Sequence, residues 1–509
     1  MVQAYTLIRG LGEFAAAREQ FNYLVDRLQS EETAGMEHGE IEELIRADGM
    51  ELLRRLLQGH LNLRAAREVK RSGVEGTEGV IRPHCRKACR RDLMSVFGLV
   101  EVQRLGYGVR GGSSLFPLDG ELNLPEDKYS HGLRRRVAEE IARNSFDEAV
   151  VSVVKTTGGK VPKRQAEGLA AEIAQDFEAF YEGRGATLPE ETRDPLVMSL
   201  DSKGIVMRPD SLREATRKAA AGECYKLKTR LSRGEKRNRK RMATVATVYS
   251  IEGQVRNAEA IMGLKEADDT YKPRTRNKRV WASVKREPQA VTNEVFQEAL
   301  RRDPAKERPW AMLVDGGVQQ LKDIKTCIEY HQVAVTLILD FIHVLEYLWK
   351  AAFCFHAEGS EEVEAWVAER ALQILQGKAS DGAAGMRRSA TLRQLSTKER
   401  KPVDTCADYL LKYQQMLKYD EYLAAGLPIA TGVIEGACRH LIKDRMDITG
   451  ARWGLQSAEA ILKLRSLHSS GDLDEYWNFY NPKPSSVIVL RGTTISLFRR
   501  QPNHAQSSF

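Results

Sequence analysis

Apolar residues recur at helical spacing over the first part of the chain. Between residues 44 and 61 leucine and isoleucine recur at helical spacing, with Arg and Glu between them, which predicts amphipathic helices up to about residue 72. The pattern then shortens, and residues 93–105 predict two short strands around Gly98, followed by a glycine-rich loop at 106–112. We interpret residues 1–80 as a helical amino-terminal region.

Helical periodicity returns between residues 131 and 181. Ser145 can cap one helix, the pair Gly158 and Gly159 can break it, and Pro162 can open the next. This order fits a helix-turn-helix as well as an ordinary helical hairpin. We therefore assign residues 81–188 to a small β element and a helix-turn-helix-like DNA-binding region. The DNA-binding cations expected at the start of its second helix are Lys160, Lys163 and Arg164.

Beyond residue 189 short apolar runs alternate with helical segments. Residues 202–204 (Ser-Lys-Gly) are expected to turn the chain between the first two strands. Three hairpin-like strands and then strands alternating with helices is the order of a ribonuclease-H-like core. We expect this α/β catalytic core at 189–345 and 428–470, an all-helical insertion at 346–427 and a carboxy-terminal tail at 471–509. The predicted strands are 195–200, 205–207, 242–251, 310–314 and 333–339.

Composition and charge narrow the class of protein. The 509 residues are 42% hydrophobic, carry a net charge of +8 and have a pI near 9.0, which favours a packed core and attraction to polyanions such as nucleic acid. A basic enzyme without a polyanionic partner would have the same charge. The seven scattered cysteines fit reduced thiols, and no apolar run is long enough for a membrane span. We expect a cytoplasmic protein, associated with the nucleoid when bound to DNA.

Three acidic residues lie at positions where a metal-dependent nuclease would carry its metal ligands. Asp201 follows a predicted strand, Asp315 follows another and precedes two glycines, and Glu435 lies in a predicted helix. Two divalent ions about 4 Å apart can activate the attacking oxygen and stabilise the leaving one during phosphodiester cleavage. Hard carboxylate oxygens suit Mg²⁺. An acid after a single strand is common at turns, so the argument depends on all three together.

The blocks around these acids resemble bacterial insertion-sequence DDE transposases of the Kra type, related to Mutator-like transposases. The first block is DSKGIVMR from Asp201, the second spans residues 309–349 with Asp340-Phe-Ile-His343, and the third is TGVIEGACRHLIKDRMDITGARWG from Thr431. The likeness extends from about residue 90 to about residue 480. Unlike several related transposases, the loop 106–116 has no cysteine pair, so a structural zinc site is not expected.

The resemblance implies catalytic, metal-binding roles for Asp201, Asp315 and Glu435, two Mg²⁺ or Mn²⁺ ions, and strand transfer of double-stranded DNA by a homodimer. Asp340 and His343 would support the site; Asp340 is also the main rival of Asp315 as a ligand. Two alternatives would have similar sequence features. One is a ribonuclease-H-like nuclease without strand transfer, and the other is a DNA-binding protein that has lost its catalytic activity.

Two basic runs flank the third predicted strand and are expected to contact DNA near the acids. Solvated loops often look the same. Trp281 could stack on a base or pack in the core, and Arg452 and Trp453 could hold DNA or close the core. Arg439 could pair with Glu435 or bind phosphate. The remaining predicted DNA-binding residues are Lys226, Lys228, Arg230, Lys236, Arg237, Arg239, Lys240, Arg241, Arg274, Arg276, Lys278, Arg279, Arg439, Lys443 and Arg452.

Overall fold

The computed structural model describes residues 12–76, 78–184, 190–222, 237–264, 274–448 and 450–480, with residues 226, 227, 229, 231, 232 and 235. The predicted DNA-binding residues Lys228, Arg230 and Lys236 lie outside this part of the chain. The chain forms two compact units, one made of residues up to 176 together with those from 474, the other of residues 177–473. None of the described helices is long and apolar enough to cross a membrane.

The first unit begins with helices and continues into short strands and a helical bundle. Its elements are α1 (Ala15–Leu28), α2 (Glu31–Ala34), α3 (His38–Arg67), β1 (Val74–Glu75), β2 (Ile81–Arg82), β3 (His84–Ser95), β4 (Gly98–Gly108), α4 (Pro117–Glu121), α5 (His131–Arg143), α6 (Phe146–Thr156) and α7 (Lys163–Ile173).

The second unit contains the remaining strands and most of the later helices. Its elements are α8 (Phe177–Gly183), β5 (Leu196–Val206), α9 (Glu214–Ala221), β6 (Lys240–Ile251), α10 (Ala258–Ile261), β7 (Thr275–Ser283), α11 (Pro288–Arg302), β8 (Trp310–Val314), α12 (Val318–His331), β9 (Thr336–Leu339), α13 (Phe341–Ala352), α14 (Glu361–Leu375), α15 (Ala379–Leu392), α16 (Lys401–Lys412), α17 (Tyr419–Ala424), α18 (Gly432–Cys438), α19 (Asp444–Met446) and α20 (Leu455–Ser470). The last described helix, α21 (Leu473–Tyr480), lies mostly in the first unit.

The two amino-terminal regions expected from the sequence share the first unit. Leu61 of α3 packs against Leu93, Val100 and Val102 of the β3–β4 hairpin, so the later part of the long helix shares a core with the hairpin. Removing these apolar groups from water favours packing of helix on hairpin.

Helices α5, α6 and α7 pack on one another in the first unit. Ser145 caps α6 by accepting a hydrogen bond from Glu148 N, and the Glu148 carboxylate accepts one from Ser145 N, so the predicted helix start is confirmed. Helix α7 begins directly after Pro162. The arrangement is that of two helices joined by a turn, and its use in binding DNA stays a prediction.

The second unit is built on a five-stranded sheet of order β7-β6-β5-β8-β9. Strand β6 is antiparallel to both β5 and β7, whereas β8 is parallel to both β5 and β9. Strand β8 agrees with its predicted bounds, and β9 begins three residues later than expected.

The expected turn at residues 202–204 is wrong. Strand β5 continues to Val206, since β6 pairs with it along its whole length, from Leu196 opposite Ser250 to Val206 opposite Lys240. These cross-strand hydrogen bonds satisfy the backbone and override the local turn preference of Ser-Lys-Gly. As a result Asp201 lies within a strand instead of at a hairpin tip.

Arg279 is buried, which corrects its assignment to DNA binding. Its side chain is 3% exposed, donates to Glu298 at 2.6 Å and to Glu294 at 2.7 Å, and lies over the ring of Tyr181. Trp281 is equally buried and forms the other aromatic contact of Arg279, so it is a core residue. Burial alone would raise the pKa of Glu298, but the neighbouring guanidinium groups, Arg279 first, hold it well below the usual range.

Replacing Arg279 with Ala should lower the free energy of unfolding by about 3 kcal/mol, because its buried ion pair with Glu298 is broken, although Glu294 keeps Arg286 and Glu298 keeps Arg301 and Arg302. Lys278→Ala is the matched control, since Lys278 is exposed and its loss should cost less than about 0.5 kcal/mol. Urea denaturation of both variants checks this, and equal midpoints would contradict the buried position of Arg279.

Candidate active site

The register of the parallel strands brings two of the predicted acids together. Leu196 of β5 pairs with Trp310 of β8, and Ser199 pairs with Leu313. Continued by two residues, this register sets Asp201 level with Asp315. Neighbouring strands lie about 4.8 Å apart, so the two side chains leave the sheet side by side.

The same reasoning places Asp340 in this row. Val314 of β8 pairs with Leu339 of β9, and Asp340 N donates to Val314 O at 2.8 Å. Asp201, Asp315 and Asp340 therefore lie on three adjacent strands at one level of the sheet, near the carboxyl ends of β8 and β9. Ligands of open α/β sheets commonly bind at that edge.

Helix α18, which carries the third predicted acid, Glu435, contacts the row through Cys438. Cys438 Sγ lies 3.0 Å from Asp201 Oδ2, and Glu435 precedes Cys438 by three residues, so both lie on one face of the helix. Burial raises the pKa of the Cys438 thiol well above its usual range, the Asp201 and Glu435 carboxylates raise it further, and Lys203 opposes them. The thiol thus stays protonated and donates to Asp201.

Asp340 lies in the same row, but both of its carboxylate oxygens already accept hydrogen bonds. It is fully buried and accepts from Thr431 Oγ1 at 2.5 Å, from Thr431 N at 3.2 Å and from Ile342 N at 3.2 Å. Thr431 immediately precedes α18, so Asp340 fixes the helix that carries Glu435. This geometry favours Asp315, which is exposed, over Asp340 as a ligand.

Tyrosines of the helical segment hold the loop after β8, and sequence reasoning missed them. Tyr409 Oη donates to Asp315 O at 3.0 Å, and Tyr413 Oη donates to Gly316 O. Gly316 has φ +88°, and a Cβ there would approach Tyr413 to 2.9 Å, so only glycine fits without displacement. The ring of Tyr347 stacks on Tyr409 at 4.1 Å. The only sequence signal was two tyrosines one helical turn apart.

Two further tyrosines of this segment hold the end of β9. Tyr419 Oη donates to Leu339 O at 2.7 Å, and Tyr422 Oη donates to Leu337 O at 3.4 Å. His343, by contrast, is only half-buried on the first turn of α13, and its described ion-pair partner is Glu346 at 3.9 Å. The structure therefore gives His343 no contact with the acidic row among the described residues.

The donor atoms of the row are hard oxygens. Asp315 Oδ1 accepts from Gly317 N at 2.8 Å; its other oxygen, and both carboxylate oxygens of Glu435, accept no hydrogen bond from the described residues. Within the same part of the chain, no group of three His, Cys, Asp or Glu side chains is close enough together to hold a metal ion. By donor chemistry, the acids fit a hard divalent cation such as Mg²⁺.

The other predicted DNA-binding cations are mostly on the surface. Arg241 is half-buried and donates to Val284 O at 2.8 Å, so it supports the backbone. Some exposed cations have acidic neighbours: Lys163 with Asp147, Lys240 with Asp447, Arg276 with Asp194 and Glu252, and Arg439 with Asp444. Those exposed without such a partner in the described structure are Lys160, Arg164, Lys226, Arg237, Arg239, Arg274, Lys278, Lys443 and Arg452.

The segment after Glu435 differs from a simple α-helix. Residues Arg439–Lys443 form a π-helical turn, and Arg439 pairs with Asp444 at 3.5 Å instead of with Glu435. Trp453 is buried and donates to Met446 O at 3.1 Å, so it closes the core, while Arg452 is exposed. Isolated π-helical turns occur frequently at functional sites.

Comparison with known proteins gives no relative: no protein-family model matches the chain, and no curated protein matches it. The assignment of the site therefore depends on its geometry.

Asp340→Ala should reduce the free energy of unfolding by about 2–4 kcal/mol, because the buried donors of Thr431 and the more exposed N–H of Ile342 lose their acceptor. Asp340→Asn keeps one acceptor oxygen and should cost less than half as much, with Mn²⁺ affinity close to the parent's. Urea denaturation and calorimetric Mn²⁺ titration measure both. A stable Asp340→Asn protein with strongly weakened Mn²⁺ binding would instead make Asp340 a metal ligand.

Tyr409→Phe should cost about 1 kcal/mol of stability, because it removes the hydrogen bond to Asp315 O. Tyr347→Phe is the control, since the Tyr347 hydroxyl forms no hydrogen bond within the described residues and only its ring contacts Tyr409. Comparing the urea midpoints of the two proteins tests the assignment, which an equal loss in both would refute.

Proposed function

We propose that this chain is a DDE transposase that cleaves insertion-sequence DNA ends and joins them to target DNA. The observation that carries the proposal is the acidic row: the strand register sets Asp201 beside Asp315, and the helix of Glu435 contacts Asp201 through Cys438. A sheet with three antiparallel strands followed by two parallel ones supports a ribonuclease-H-like core around it.

Asp201, Asp315 and Glu435 would hold two Mg²⁺ or Mn²⁺ ions. Such ions, when bound, activate the attacking oxygen and stabilise the leaving oxygen of an in-line displacement. The chain's own contribution is to position the carboxylates: the Cys438 thiol orients Asp201, Tyr409 and Tyr413 hold the Asp315 loop, and Asp340 fixes the start of the Glu435 helix.

The reaction proceeds in two displacements at phosphorus. Water first attacks a phosphodiester at the element end, and the broken P–O bond leaves the element with a 3′ hydroxyl and the flanking DNA with a 5′ phosphate. That 3′ hydroxyl then attacks a phosphodiester of the target DNA, forms a new P–O bond and releases the 3′ oxygen of the cut target strand. Exposed cations beyond the carboxyl end of β5, including Arg239 and Arg452, neutralise the phosphates of the double-stranded DNA that must approach these acids. Since two ends are processed together, we propose a homodimer working in the bacterial cytoplasm.

Asp201→Ala, Asp315→Ala and Glu435→Ala should each lower cleavage and strand transfer about a thousandfold, since each removes several kcal/mol of transition-state stabilisation. Glu329→Gln is the control, because Glu329 is an exposed carboxylate far along α12. The measurement uses duplex oligonucleotides carrying the DNA that flanks the coding sequence, intact for cleavage and pre-cut with a 3′ hydroxyl for transfer, with Mg²⁺ or Mn²⁺.

The outcome also separates the proposal from its alternatives. Cleavage without joining of the pre-cut ends identifies a ribonuclease-H-like nuclease. DNA binding without cleavage identifies a DNA-binding protein that lacks the chemistry. Full activity in Asp201→Ala would overturn the assignment of the site.

A further inference from the structure

The far end of the β3–β4 hairpin carries a cluster of exposed cations. Arg86, Lys87 and Arg90 lie on β3, and Arg110 lies in the loop after β4. Lys70 joins them, because the next residue, Arg71, donates its backbone N–H to Tyr107 Oη at 2.8 Å, and Tyr107 pairs with Cys85 across the hairpin. We call these five residues the basic ribbon end.

Few acidic side chains pair with these five cations, so most of their positive charge is uncompensated. Arg90 approaches Glu101 to 3.6 Å with its side chain 66% exposed, a weak surface pair, and Arg86 donates to the neutral Ser114 Oγ. Lys70, Lys87 and Arg110 have neither a hydrogen bond nor an ion pair from their side chains in the part of the chain that is described. Clustered cations repel one another unless an anion binds among them.

The backbone at this cluster is strained. The hairpin register shifts between Arg86 and Cys89, and Ala88 has φ +53°. A left-handed alanine costs about 1 kcal/mol. A β-bulge bends a strand and re-aims its side chains, and strain of this kind is typically retained where it serves a function. Here the bulge contains Lys87 and lies between Arg86 and Arg90.

The two edges of the hairpin differ in how much of each is covered by other parts of the chain. Helix α3 covers the edge of β4: Gln58 exchanges two hydrogen bonds of 2.8 Å with the Glu101 backbone, and Glu68 accepts from Leu105 N at 2.7 Å. Among the described residues, the outer edge of β3 pairs with another backbone segment only at Met94. The basic ribbon end therefore stands on an edge left open to a partner.

We propose that the basic ribbon end binds the phosphates of double-stranded DNA, as a contact separate from α7 and from the acidic row. The choice of DNA rests on the proposed function. Because the β3 edge is open, cations along it can face the phosphate backbone of a duplex and displace condensed counterions.

The test is the salt dependence of binding by the full chain. Lys87→Ala, Arg90→Ala and Arg110→Ala are combined, and affinity for a 30-base-pair duplex without divalent ions is measured by fluorescence anisotropy from low to high NaCl. The slope of log affinity against log salt should become shallower by about 0.9 for each phosphate that the variant no longer neutralises, up to about 2.7. The control combines Lys322→Ala, Lys325→Ala and Lys378→Ala, which remove the same charge from exposed positions and should leave the slope nearly unchanged.

An unchanged slope in the ribbon variant overturns the proposal. An equal change in the control or a preference for duplex RNA over DNA also overturns it. A change of oligomeric state does so too, because the charged edge would then serve to prevent pairing with another copy of the chain. If thermal melting shows that the triple variant is unfolded, Lys87→Ala and Arg110→Ala are measured singly, since those side chains contact no described partner. If the slope becomes shallower but the protein does not join DNA, DNA binding by the basic ribbon end is supported and only the transposase proposal is contradicted.

Discussion

The parallel pairing of β5 with β8 is the constraint on which the rest of the second unit depends. Partners in this pair are 114 residues apart, as Leu196 and Trp310 show, and that offset alone sets Asp201 beside Asp315. Because side chains alternate between the two faces of a strand, a slip by one residue would send one acid to the opposite face. The register is held on one side by β6 and on the other by β9, so the site depends on the whole sheet.

The sequence could predict the parts of this sheet whose pattern is local. Residues 310–314 are an uninterrupted apolar run and residues 196–200 are apolar except for Ser199, as expected of strands buried on both faces. Strand β7 was not predicted, because its first half is polar and its buried half contains Arg279. Whether an arginine is buried depends on partners elsewhere in the chain, here Glu294, Glu298 and Tyr181, and no local pattern reveals that.

The candidate site, like the sheet, has parts that the sequence predicts and parts that only the fold reveals. Acids after strands are visible in a sequence, and resemblance to a family selected three of them. The contacts that orient them are not visible: Cys438 is one of seven scattered cysteines, and the tyrosines at 409 and 413 look like ordinary residues of an amphipathic helix. The choice of Asp315 over Asp340 also receives a physical reason only from the fold, because both follow a strand but Asp340 is enclosed by Thr431 and Ile342.

The helical segment after β9 leaves the sheet and returns to it at one place. Phe341 N donates to Ile429 O at 2.9 Å, next to the contact between Asp340 and Thr431. A loop whose ends are pinned adds little entropic cost when it lengthens, since that cost grows only with the logarithm of its length. Evolution could therefore enlarge, trim or recombine the outer helices as a cassette while the sheet kept its register, provided that the tyrosines at 409, 413, 419 and 422 continued to reach the strand ends.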